Sequence, residues 1–175
     1  MVAKKPITIC QERFYPHSPE DVWAAITDPY ALAEWLEPND HQPVAGHKFQ
    51  FRCDPGLCGS GITECEVLEA IPPFRLVWSW VNVPSDGKRP RPKPMTISWT
   101  LTPKDNGTLL TLEHSGAENC KWLTRNMMRV GWGVMMKKMI SRVLASVDAG
   151  KFRPGAIPLK NRYYTCKTIP DHFVR

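Results

Sequence analysis

The chain has 175 residues, 42% of them hydrophobic, and a formal net charge of +6, which suits one domain with a buried core. No segment reaches the run of roughly 18 apolar residues needed to span a bilayer. The stretch from Ile7 to Tyr15 is too short and too polar for the core of a secretory signal, so a cytoplasmic protein is expected.

Ile7 to Tyr15 alternates weakly and reads as a first strand. Ser18 then precedes Pro19, Glu20 and Asp21, an N-cap with proline at the first helical position and acids in the first turn. This helix carries Val22, Trp23, Ala25 and Ile26 and stops before Asp28. Asp28 caps a second short helix through Leu32, Trp35 and Leu36, which Pro38 ends. Phe49 and Phe51 share one face of the next strand, and Gly56 and Gly59 mark a turn after it. Ile62 to Ala70 is a further strand. Leu76, Trp78 and Trp80 line one face of the strand after that. Met95, Ile97, Trp99 and Leu101 alternate with Thr96, Ser98 and Thr100, a strand with one apolar side. Asn106-Gly107 predicts a hairpin into Thr108, Leu110, Leu112 and His114. At least five strands in meander order predict an antiparallel sheet.

Glu118 to Val147 reads as one long helix with Met128, Trp132, Met135, Met136, Met139 and Val143 on one stripe. Gly131 and Gly133 flank Trp132, which points to a close backbone approach or a bend. After Gly150 comes a tail with Pro154, Pro158, Pro170, Tyr163, Tyr164 and Phe173, expected to lie across the domain or a neighbour. The division is therefore 1–149 for the domain and 150–175 for the tail.

Basic charge is appended to the body. The tail has a net charge of +5 and the loop from Ser85 to Pro94 a net charge of +3, leaving −2 for the remainder. Neither segment carries a nucleic-acid motif, so no specific nucleic-acid partner is expected. Solvated loops that aid solubility, or that touch a partner subunit in a homodimer, account for them. The six cysteines form no CxxC pair and no metal site is apparent. A Cys53–Cys58 disulfide fits the turn between them, but a reducing compartment disfavours it.

The pieces "PEDVWAAITDPYALAEWLEP", "GITECEVLEAIPPFRLVWSW", "TISWTLTPKDNGTLLTLEHSG" and "GWGVMMKKMI" follow one another across roughly Ile7 to Val147. In that order they resemble the START-like, Bet v 1-like (SRPBCC) superfamily, in the branch of the activator of heat-shock protein 90 ATPase. The resemblance implies an α+β helix-grip fold: a curved antiparallel sheet wrapped around a long C-terminal helix, with two short helices after the first strand. It also implies a cavity between sheet and helix, lined by Phe49, Phe51, Trp78, Trp80, Ile97, Trp99, Leu110, Leu112, His114, Met128, Trp132 and Met136, with Trp35 near its opening. The basic loop and the tail depart from the family pattern. The co-chaperones of the family carry an additional amino-terminal domain, and this chain begins at the first strand, so a chaperone partner is not expected.

The functional expectation is binding of a small hydrophobic or aromatic molecule in that hollow, with no cofactor. His114 is the one weak catalytic candidate, able to orient a ligand carbonyl or move a proton; a histidine hydrogen-bonded at the strand–helix junction is the plainer alternative. Glu64 and Glu66 share a strand face and Glu69 takes the other, as expected of a solvated surface. No GxSxG, HExxH, P-loop or GxGxxG motif occurs, and no residues can be placed together as a triad. A cyclase- or hydrolase-type enzyme using the same cavity is the second reading, and a chaperone ATPase activator or other interaction module the third.

Overall fold

Strand alternation and tight turns build one antiparallel sheet of six strands. The computed structural model describes residues 5–55, 59–85, 90–163 and Lys167. In chain order the elements are β1 (Thr8–Tyr15), α1 (Pro19–Thr27), α2 (Pro29–Trp35), β2 (Lys48–Arg52), β3 (Ile62–Ile71), β4 (Arg75–Asn82), β5 (Met95–Lys104), β6 (Gly107–Ser115) and α3 (Trp122–Val134). The sheet order is β1-β6-β5-β4-β3-β2, so every neighbour except the β1–β6 pair is consecutive in sequence. The curved sheet and the long helix make the α+β helix-grip fold.

Both short helices start where the caps predict. Ser18 Oγ accepts from the Asp21 backbone N–H at 3.1 Å, and Asp28 Oδ1 accepts from Tyr30 and Ala31 at 2.8 and 3.1 Å. These satisfy N–H groups that the first turn leaves open. α1 packs against β5, β6 and the far end of the long helix.

Three local features differ from the sequence expectation. The β5–β6 turn sits one residue earlier than the Asn-Gly signal: Lys104 pairs with Gly107, and Asp105 takes the positive φ of 51°. Gly107 serves a different need, because a Cβ there would run into the Tyr15 backbone carbonyl of β1. In β3 the register shifts between Val67 and Glu69, leaving Leu68 as a bulged residue that is 51% exposed. An extra residue reverses the alternation. Glu69 therefore pairs opposite Val77 on the same outer face as Glu64 and Glu66, not on the other face. There it meets Arg75 at 2.9 Å, while Arg91 holds Glu64 through two bonds of 2.7 and 3.0 Å.

The long helix is not uniform and does not run from Glu118 to Val147. A short 3₁₀ turn (Ala117–Asn119) precedes it, α3 passes into a π-helical stretch (Met135–Ile140), and a last α-helical turn, α4 (Ser141–Leu144), closes it. The wider π turns bring Met135, Met136, Met139 and Ile140 all into the core. Inside that stretch the Tyr15 hydroxyl donates to the Met136 carbonyl at 2.6 Å, tying β1 to the helix.

Val147–Asp148 and Lys151–Phe152 form a small hairpin, β7–β8, and the tail then crosses the domain. Ile157 is fully buried in the core. The Glu34 carboxylate, 1% exposed, accepts from the backbone N–H groups of Gly155 and Ile157 at 2.5 and 2.7 Å, with Arg162 at 3.7 Å. Tyr163 lies over Gly131, where its hydroxyl would stand 3.3 Å from an added Cβ. At Gly131 the near neighbour is therefore a side chain and not a second stretch of backbone, and Gly133 has ordinary room. Lys88, Arg89, Cys58, Tyr164, Cys166 and Phe173 lie outside the described residues.

Candidate functional site

The inward face of the sheet is a wall of aromatic rings. β4 contributes Leu76, Trp78 and Trp80, β5 contributes Ile97 and Trp99, β6 contributes Leu110, Leu112 and His114, and β2 contributes Phe49 and Phe51. The helix lays Trp132, Met135, Met136 and Met139 against this wall. All the residues expected to line the hollow are brought together there. Met128 sits at the margin, packed against the core but only partly buried, and Met127 points outward.

Most of the rings meet edge to face, Trp80 and Phe51 being tilted at 36°. Trp99 is the hub, with ring centroids 5.9 Å from Trp35, 6.2 Å from Trp78 and 5.7 Å from Trp132. Trp80 lies 6.1 Å from Trp132 and 5.5 Å from Phe51. Such pairs add about 0.5–1.5 kcal/mol each beyond their buried area. Trp35 is wholly buried and donates its indole N–H to the Ala25 carbonyl at 2.8 Å, so it belongs to the interior and not to an opening.

His114 lies within this wall, 1% exposed. Its Nδ1 accepts the indole N–H of Trp132 at 3.0 Å. A nitrogen that accepts carries no proton, so the neutral ring is protonated at Nε2. Burial holds its pKa down at about 4, so the ring is neutral near pH 7. Nε2–H finds no hydrogen-bond partner among the described residues, and neither do the indole N–H groups of Trp78 and Trp99. Among the described residues these three ring N–H groups thus have no acceptor.

The segment joining α2 to β2 supplies a second polar group, unforeseen from the sequence. Glu37, Asn39 and His41 are all buried, while Asp40 between them is exposed. Asn39 donates to the Pro29 and Glu37 carbonyls and accepts from the His41 N–H, which locks the segment. His41 bonds through Nδ1 to the Thr27 carbonyl at 2.9 Å, packs 4.8 Å from Phe49 and 5.5 Å from Trp78, and has its pKa lowered to about 4 by burial. Burial pushes Glu37 up to about 8 against a hydrogen bond with Cys53. It also raises the Cys65 thiol, with the nearby Glu37 adding to the shift. Pro38, between Glu37 and Asn39, is buried as well, so the segment shows no in–out alternation that a sequence reading could use.

Two concavities lie outside this interior. One, of about 330 Å³, runs between the outer side of α3 and Tyr163. The other, of about 620 Å³, lies on the outer face of β2, β3 and β4, beside Lys48, Glu64, Glu66 and Pro94. Among the described residues, no helix is long and apolar enough to cross a membrane, and no group of three or more His, Cys, Asp or Glu side chains could hold a metal ion.

Residues 16–145 match the family described as "Activator of Hsp90 ATPase homolog 1-like protein". Among solved structures, the chain is similar to protein MLL2253 from Mesorhizobium loti, at 30% identity over 81% of this chain and 99% of that one, with a TM-score of 0.68. The Aha1 dimer from Colwellia psychrerythraea shares the fold at 20% identity, over 83% of this chain and 98% of that one, with a TM-score of 0.62. So does DynU16, a protein of the dynemicin biosynthetic locus, at 22% identity over 87% of this chain and 51% of that one, with a TM-score of 0.62. No curated protein matches the chain.

Proposed function

The chain belongs to the family of Activator of Hsp90 ATPase homolog 1-like proteins, within the START-like, Bet v 1-like superfamily, and from that premise we propose that it binds a small hydrophobic or aromatic molecule between sheet and helix. One observation carries the reading: the Trp78 and Trp99 indoles and His114 Nε2–H are buried donors without partners in an aromatic surround. A buried donor left unsatisfied costs about 1–3 kcal/mol. A flat apolar molecule bearing a carbonyl or other oxygen acceptor would satisfy them while stacking on the rings. Room for it comes from the helix, where Met135, Met136 and Met139 are unbranched and deformable. DynU16, from the dynemicin biosynthetic locus, places the same fold in a biosynthetic setting.

A neutral His114 whose open nitrogen already carries the proton serves better to hold a ligand oxygen than to remove a proton from it. This favours binding over the cyclase- or hydrolase-type alternative. Native mass spectrometry of the protein from its own host, followed by titration of aromatic carbonyl compounds against tryptophan fluorescence, tests the reading. A bound molecule released on denaturation, or saturable quenching weakened by His114→Ala, is expected. An unliganded mass together with no fluorescence response across aromatic and lipid compounds would overturn it.

A further inference from the structure

The outer side of α3 is apolar and, among the described residues, largely uncovered. Trp122, Leu123, Met127, Val130 and Val134 are exposed to 68, 63, 55, 65 and 37%. From Leu123 the steps of four, three and four residues set the last four on one line along the helix. Single exposed hydrophobic residues are ordinary, but a contiguous stripe of them marks a contact surface. The groove between the helix and Tyr163 runs along the same stripe.

Charge on the helix itself has one sign. Between Asn119 and Val147 the chain has Lys121, Arg125, Arg129, Lys137, Lys138 and Arg142 and no Asp or Glu. All but the half-buried Arg125 are exposed. A second copy presenting this face would set cations against cations. An acidic protein would meet the charge, yet among the described residues only Asn126 and the Tyr163 hydroxyl line the groove as uncharged polar groups to fix its orientation. An anionic bilayer supplies both needs without any shape match: an apolar layer for the stripe, and diffuse negative charge for the lysines and arginines.

We propose that this face of α3 docks the protein on an anionic membrane surface. Trp122, Leu123, Met127 and Val130 enter the boundary between headgroups and acyl chains, and Arg129 with Lys137 and Lys138 meets the lipid phosphates. The inference rests on the outer surface alone and is independent of any ligand in the interior.

Co-sedimentation with vesicles tests it, comparing pure phosphatidylcholine with the same lipid containing about a third phosphatidylglycerol. Binding to the anionic vesicles is expected, weakened by salt, with a blue shift of tryptophan emission that Trp122→Phe removes. Val130→Asp, at a site 65% exposed, is expected to leave the thermal melt near wild type and to lower binding about tenfold or more, the value of one lost apolar insertion. No binding to anionic vesicles at low salt overturns the proposal, even if the face retains an acidic protein. Equal binding by Val130→Asp overturns it too, by placing the contact elsewhere. A dimer in light scattering that Val130→Asp converts to monomer assigns the stripe to a second copy instead.

Discussion

Trp132 on the helix donates its indole proton to Nδ1 of His114 on β6, across 3.0 Å of otherwise apolar interior. This bond fixes which imidazole nitrogen carries the proton and ties the helix to the sheet at the ring cluster. Trp132→Phe keeps an aromatic ring but leaves a buried acceptor open, and is expected to cost about 2 kcal/mol in denaturant unfolding. In a double-mutant cycle with His114→Ala the two changes should couple by at least about 0.5 kcal/mol. Additivity would show that the bond contributes nothing to stability.

Opposed titrations set the pH of greatest stability. His41 and His114 have folded pKa values near 4 against 6.5 for the free side chain, so their contribution is full above about 6.5 and is lost as pH falls toward 4. Glu37 runs the other way: raised from 4.5 to about 8, its contribution is full below 4.5 and is lost as pH rises through 8. Each group changes stability by about 1.4 kcal/mol per pH unit inside its window. Two imidazoles outweigh one carboxyl, so stability should climb to about pH 6.5 and decline toward pH 8. Denaturation midpoints measured across that range should show the maximum, and Glu37→Gln should abolish the alkaline decline. A wild-type profile flat from pH 6.5 to 8 would mean that Glu37 is ionised in the folded state.

Much of this was readable in the residues, for identifiable reasons. Both N-caps at Ser18 and Asp28, the apolar faces of β4, β5 and β6, and the Trp–Met stripe of the helix are periodic or local signals, and they survive into the structure. The misses came from single-residue irregularities. The bulge at Leu68 turns Glu69 over, and the π turns at Met135–Ile140 rotate the helix face, yet neither has a sequence marker. Trp35 was misplaced at an opening because its partners, the Ala25 carbonyl and the Trp99 ring, are distant in sequence or silent in pattern. The polar segment from Glu37 to His41 resembles an ordinary loop until β2 and the Thr27 carbonyl close around it.

Glu34 is the clip that holds the tail. Glu34→Ala removes an acceptor from two backbone N–H groups and leaves Arg162, 9% exposed, without that carboxylate. Breaking a buried pair of this kind costs about 3–5 kcal/mol. Limited trypsin digestion is expected to cut the variant rapidly after Lys160, while the wild type resists. Equal resistance would mean that Ile157 alone anchors the segment.

Two glycines should respond with opposite signs. Gly133 is helical, and an added Cβ would meet only Gln11 at 3.7 Å, so Gly133→Ala should stabilise by up to about 1 kcal/mol. Gly107→Ala would press a methyl into the Tyr15 carbonyl and the Phe14 ring, and should destabilise by about 1–3 kcal/mol or more. Thermal melts of the two variants on either side of wild type would show this; a stabilised Gly107→Ala would mean that β1 can back away from the hairpin.

The pairing of β1 with β6 has a consequence for how the chain is made. Residues 8–15 leave the ribosome before the rest of the sheet, yet their partner strand spans residues 107–115 and the helix that anchors Tyr15 comes later still. The hairpins from β2 to β6 can form from neighbouring sequence, whereas β1 must wait through about a hundred residues for its place. A nascent chain halted before residue 107 therefore carries an unpaired strand, ready to associate with any open sheet edge nearby.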